Sequence, residues 1–161
     1  MQFTLEKFTD TDFDDYFKLV SNIDVMAMIT ERALSEAEAR ADFAQLLSEN
    51  SLHSDLGHFK IIEHSGKFMG LAKLCLLNKN SLEAELGYML LPLYWRQGIG
   101  SQVANQLLNL AKQKAELNGL FAIIDPKNLA SRKILEKLGF QHKEFKDFDG
   151  LPGEILTLNF S

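Results

Sequence analysis

Glu85-Leu-Gly-Tyr-Met-Leu-Leu-Pro-Leu-Tyr-Trp-Arg-Gln-Gly-Ile-Gly-Ser101 is the stretch from which the fold can be read. Leu86 to Leu91 is apolar enough for a buried strand, and Pro92 ends it by removing a backbone donor. From Gly98 onward the apolar period changes. Ile99, Val103, Leu107, Leu110 and Ala111 recur three and four residues apart, which is one face of a helix. Between strand and helix lies Arg96-Gln97-Gly98-Ile99-Gly100-Ser101. Glycines at a helix start let a ligand approach the backbone closely. The first-turn N–H groups have no internal partner and sit at the positive end of the helix dipole. Arg96 adds a full positive charge. The combination suits a phosphate or pyrophosphate. Two familiar phosphate motifs do not fit: position 103 is Val where the dinucleotide fingerprint needs Gly, and the Gly-Lys-Ser/Thr ending of a P-loop is absent.

Outward from this stretch, the rest of the chain falls into alternating elements. Gln2 to Phe8 alternates as an edge strand, and Thr9-Asp-Thr-Asp12 is a cap cluster. Phe13, Tyr16, Phe17 and Val20 share a helical face, Ile23 to Ile29 suggests a short helical turn, and Ser35-Glu-Ala-Glu38 is a capping box. Strands are expected over 59–63, 68–77 and 82–91, joined by Ser65-Gly66 and Asn78 to Ser81. The central helix should run from Gly98 to Leu117. Phe121 to Ile124 then reads as a buried parallel strand and Asn128 to Leu138 as a capped helix. Strands over 140–148 and 154–160 close the chain around the turn cluster 149–153. A meander followed by a crossover helix implies an α/β (α+β) fold, a central mixed β-sheet flanked by helices on both faces.

With 161 residues, the length implies one domain over 1–161. A net charge of −5 argues against a general nucleic-acid binder and gives slight support to a cationic substrate. No stretch is apolar for long enough to span a membrane, and the N-terminus lacks a signal-peptide pattern. The single cysteine, Cys75, fits a reducing cytoplasm and reads as a core residue. The four histidines, His53, His58, His64 and His142, show no ligand spacing, so no metal is expected.

Arg96-Gln-Gly-Ile-Gly-Ser101 resembles the Gln/Arg-x-x-Gly-x-Gly/Ala motif of the GNAT superfamily of N-acetyltransferases. Asn128-Leu-Ala-Ser-Arg-Lys-Ile-Leu-Glu-Lys-Leu-Gly-Phe140 resembles that family's Asn-x-x-Ser/Ala helix ending in Gly-Phe. Both occur in the family's order, with a strand between them. Glu85-Leu-Gly-Tyr88 and Pro126-Lys-Asn-Leu-Ala-Ser131 look most like the branch containing ribosomal-protein N-terminal acetyltransferases. The resemblance implies acetyl-coenzyme A as cosubstrate and a primary amine as acceptor, either a protein N-terminus or a small amine. It implies that the backbone of Tyr88, Met89 and Leu90 pairs with the pantetheine arm. The N–H groups of Arg96, Gln97, Gly98, Ile99, Gly100 and Ser101 would hold the pyrophosphate, and Asn128 would bond the arm from the other side. A homodimer through the last strands is also compatible with the family.

Transfer to an amine needs a base, because an ammonium is not a nucleophile. Glu85 is the candidate: it lies a few residues before the arm-binding segment, and the matched branch carries a Glu here. A solvent-facing glutamate that only holds a cation is the other reading. Ser131, three residues after Asn128, is the candidate donor to the thiolate, with helix capping as its other reading. Many family members carry a Tyr seven residues after the Asn, and others a Glu five before it. Here those positions are Leu135 and Ile123. Trp95 could stack on adenine or buttress the helix start, and Lys127, Arg132 and Lys133 could meet a further phosphate or lie in solvent. A non-catalytic acyl-CoA-binding module is the alternative to an enzyme.

Overall fold

The computed structural model describes residues 2–160. In chain order the elements are β1 (Phe3–Lys7), α1 (Phe13–Val20), α2 (Ile23–Met26), α3 (Glu36–Asn50), β2 (Gly57–Glu63), β3 (Phe68–Leu76) and β4 (Glu83–Leu90). They continue with α4 (Ile99–Lys112), β5 (Gly119–Ile124), α5 (Leu129–Lys137), β6 (Gln141–Phe148) and β7 (Leu151–Asn159). A single 3-10 turn, Pro92–Tyr94, joins β4 to the approach of α4. The seven strands form one mixed sheet in the order β1-β2-β3-β4-β5-β7-β6, and β4–β5 is its parallel pair. No helix among the described residues is long and apolar enough to cross a membrane.

Alternation along the strands sends apolar side chains to both faces. Leu74, Leu86, Leu120 and Leu156 meet Ile99, Val103 and Leu107 of α4 and Leu135 of α5 in one core. Phe8, Leu71 and Met89 meet Phe13, Tyr16 and Leu19 of α1 and Phe43 of α3 in a second. Each fully buried Leu or Ile is worth about 1.5–3 kcal/mol. The Ser35 capping box is formed: Glu38 N–H donates to Ser35 Oγ at 3.2 Å, and Ser35 N–H donates to Glu38 Oε1 at 3.0 Å.

Among the boundaries that differ from the sequence reading, two have a clear cause. The central helix stops at Lys112, not Leu117. Lys114 Nζ pairs with Asp55 at 2.7 Å and Glu116 with His53 Nε2 at 2.8 Å, which draws residues after 112 toward the loop before β2. The final hairpin turns on Asp149-Gly150 alone, with φ of 53° and 91°. Such a turn matches the twist of its strands, so β7 begins at Leu151 and takes in Pro152 and Gly153. Pro152 is tolerated there because β5 pairs with β7 only from Glu154 onward.

Candidate active site

The site is made by a failure of pairing. β4 and β5 face each other over three residue pairs, Glu83 with Gly119, Ala84 with Leu120 and Glu85 with Phe121. Beyond these, β4 stays paired with β3 as far as Leu90, while β5 stays paired with β7 as far as Ile124. The two strands part at Glu85 and leave a wedge bordered by residues 86–90 on one side and 122–124 on the other. Tyr88, Met89 and Leu90 lie on this open border. One of its acceptors is satisfied internally, because Trp95 Nε1 donates to the Leu90 carbonyl at 2.8 Å. Trp95 therefore buttresses the loop.

At the mouth of the wedge, Arg96 and Gly98 adopt left-handed backbone, with φ of 61° and 77°. For Arg96 this costs conformational energy that a glycine would avoid. The pair turns the N–H groups of 96–101 into a nest before α4, which has no side-chain cap. Among the described residues none of these six N–H groups has a hydrogen-bond acceptor. Gln97 does not reach outward with its amide, since Nε2 donates to the Leu93 carbonyl at 2.8 Å. Arg96 is exposed and pairs with no carboxylate among the described residues.

Across the wedge, Asn128 caps α5 by accepting the Ser131 N–H on Oδ1 at 3.1 Å. Its Nδ2 has no partner among the described residues, so capping and ligand binding are compatible. Ser131 Oγ lies 3.3 Å from the Tyr88 hydroxyl. The Tyr88 ring also packs on Gly100, where an added Cβ would sit 3.2 Å from its Cε2. One tyrosine thus ties β4 to the first turns of both α4 and α5. Burial raises its phenol pKa, with the Ser131 contact working against that, so the hydroxyl keeps its proton at neutral pH. This side-chain role was not legible in the sequence, where Tyr88 counted only for its backbone.

Glu85, the last β4 residue paired with β5, projects toward the face that carries α1–α3. It shares that face with its cross-strand neighbour Cys75. Its carboxylate is half-buried and pairs with Lys73 Nζ at 2.9 Å. Nearby, Glu49 Oε1 meets His58 Nε2 at 2.7 Å, and the ligand-type atoms of Glu49, His58 and Cys75 lie within 4.8 Å of one another. Burial pushes the Cys75 thiol up to about 12 and lowers the His58 pKa, so both stay neutral at pH 7. The spacing of residues 49, 58 and 75 conceals this grouping, because three different elements contribute.

Arg132 is unavailable for a phosphate. It makes a two-pronged ion pair with the fully buried Glu154, including Nη1 to Oε2 at 2.9 Å, and His142 Nδ1 meets the same carboxylate at 2.7 Å. Leu135 is buried in the core and Ile123 is partly exposed beside the wedge. Neither offers an ionisable group.

The family described as acetyltransferase (GNAT) domain matches residues 2–141. The uncharacterized N-acetyltransferase p20 of Bacillus licheniformis is 24% identical over 157 residues, covering 96% of this chain and 88% of that protein. Spermidine N-acetyltransferase from Vibrio cholerae, solved with CoA and spermine, superimposes with a TM-score of 0.80 at 17% identity. The match covers 99% of this chain and 96% of that one. RimL, a ribosomal L7/L12 alpha-N-protein acetyltransferase solved with coenzyme A, gives a TM-score of 0.79 at 14% identity, with 99% and 95% covered. At these identities the structural likeness speaks for the fold.

Proposed function

Because the chain belongs to the GNAT acetyltransferase family, we propose that it transfers acetyl from acetyl-coenzyme A directly to a primary amine, of a protein N-terminus or a small molecule. The observation that carries this reading is the parting of β4 from β5 at Glu85, in line with the N–H nest of 96–101, which has no acceptor among the described residues. The nest fits a pyrophosphate, and the open edge of Tyr88, Met89 and Leu90 fits an extended amide-bearing arm. Asn128 Nδ2 faces that arm from α5, and Ser101 adds a hydroxyl at the nest. Bound acetyl-coenzyme A supplies an activated acyl carbon.

The chain's own groups do the rest. Glu85 takes the proton of the incoming ammonium at its carboxylate. Ser131 gives a proton at the departing sulfur, and the Tyr88 hydroxyl orients and replenishes it. The cleft holds the partners in reach, a positioning contribution separate from the proton transfers. The same reading makes the chain a single-domain cytoplasmic enzyme, in keeping with its one reduced cysteine. It also makes the enzyme a homodimer through the exposed edge strand β6. Reversed on itself about Phe145, that strand sets Lys143 against Asp147 and Glu144 against Lys146. Light scattering should return twice the chain mass, and Phe145→Lys should return one; a wild-type monomer removes the dimer from the proposal.

The function is tested by calorimetric titration with acetyl-coenzyme A, followed by transfer assays with primary amines. Glu85→Gln should leave cofactor affinity unchanged and lower kcat about 100-fold, most strongly below neutral pH. Wild-type turnover in the variant would take the base role from Glu85. Binding without transfer to any amine would make the chain an acyl-CoA-binding module instead.

A further inference from the structure

Lys73 stands out among the paired lysines. Lys60 pairs with Asp12 at 3.0 Å and Lys114 with Asp55 at 2.7 Å, and neither partner lies on β4 or β5. Lys73 projects from β3 directly opposite Gly87 of β4. A Cβ on Gly87 would lie 3.2 Å from Lys73 Cε and 3.3 Å from its Cγ. With no Cβ at Gly87, the lysine stem lies over β4 closer than it would over a side chain. Its Nζ ends 2.9 Å from Glu85 Oε2, at the last residue before the strands part. A primary ammonium on an unbranched stem is therefore already seated on the candidate base, at the closed end of the wedge. The pair is half-buried, with side-chain exposures of 29% for Lys73 and 19% for Glu85.

We propose that Lys73 is itself an acetyl acceptor, modified in cis by the same site. The proposal rests on the transfer function argued above. The Lys73 ammonium passes one proton to Glu85 Oε2, and its freed lone pair attacks the thioester carbonyl carbon. The C–N bond forms and the C–S bond breaks. The second nitrogen proton is lost as the intermediate collapses to an amide. Of the two protons released, one ends on the sulfur and one in solvent, giving an Nε-acetyl-lysine and free coenzyme A. No oxidant or further reactant is required.

The modification changes the site. The amide carries no charge, so the Glu85 carboxylate loses its internal counter-ion and the acceptor face becomes more negative by one unit. An external ammonium then no longer competes with Lys73. Turnover of an external amine should show a lag while Lys73 is being acetylated, and Lys73→Gln should abolish the lag.

The test uses the full chain at pH 7.5 with acetyl-coenzyme A and no added amine, read by intact mass and peptide mapping. A gain of one acetyl group, mapped to Lys73 and absent in Lys73→Arg and in heat-unfolded protein, is the expected result. The same preparation is titrated calorimetrically with acetyl-coenzyme A. Binding with Lys73 unmodified, or with acetyl spread over surface lysines, overturns this proposal and leaves the transfer function standing, with Lys73 an ordinary cross-strand ion pair. No binding overturns both.

Discussion

Replacing Glu154 with alanine should destabilise the fold by about 3–5 kcal/mol, the range for removing one partner of a buried ion pair. Glu154 has no exposed surface, and its carboxylate is shared by Arg132 of α5 and His142 of β6. Without it, the Arg132 guanidinium, whose side chain is 25% exposed, keeps its charge and loses its only carboxylate partner among the described residues. For a chain of this length the loss corresponds to a fall in Tm of roughly 10 °C. Urea unfolding would measure it directly. Replacing both partners with apolar residues, as Arg132→Met with Glu154→Leu, should recover much of the stability, since a well-packed apolar pair avoids the desolvation cost. A single-variant loss under about 1 kcal/mol would show that the pair is effectively solvated. The position also bears on the site. Arg132 is next to Ser131 and one turn from Asn128, so loosening its anchor should raise KM for acetyl-coenzyme A more than it lowers kcat.

Gly100→Glu should weaken acetyl-coenzyme A binding by about 100-fold or more, since like charges brought together at a binding surface cost several kcal/mol. Gly100 lies in the first turn of α4, where an added Cβ meets the Tyr88 ring at 3.2 Å and Ile134 Cδ1 at 3.3 Å. The larger side chain must turn away from both, toward the N–H groups of 96–101, and brings a negative charge into the nest. Gly100→Ala separates sterics from charge. Its methyl asks its neighbours to yield by a few tenths of an ångström, so binding should fall far less than with glutamate. Calorimetry on folded protein, checked by circular dichroism, decides the matter. Undiminished binding by Gly100→Glu would place the pyrophosphate elsewhere.

Much of the fold was legible because local chemistry and tertiary packing agree. Pro92 and the change of period at Gly98 mark the junction of β4 and α4, and Ser35 with Glu38 marks the start of α3. Where they disagree, the sequence misleads. The apolar pattern of α4 runs on toward Leu117, which is indeed buried, but the ion pairs of Lys114 and Glu116 end the helix earlier. Pro152 and Gly153 look like turn residues and lie in a strand, because Asp149-Gly150 completes the turn in two.

The site divides the same way. The nest can be read from Gly98 and Gly100, since it uses backbone from one continuous segment. Lys73 over Gly87, Tyr88 against Ser131 and Arg132 on Glu154 depend on strand register and helix docking between segments 14 to 43 residues apart, or on a glycine's empty face. No spacing rule exposes them. The wedge itself depends on where a parallel pairing stops, a property of neither strand alone.

That short pairing has a mechanical meaning. Three residue pairs join β4 to β5, so the sheet behaves as two leaves, β1–β4 and β5–β7–β6, stitched at one end and bridged elsewhere by helix packing. A molecule that lies along the open edge and bonds to both leaves is a structural member as well as a reactant. By linkage, such a ligand adds RT ln(1 + [L]/Kd) to the folding free energy, roughly 2.7 kcal/mol at a hundredfold excess over Kd. The thermal endurance of this chain is then set partly by the surrounding metabolite pool, and starvation for the ligand would leave the two leaves less firmly joined.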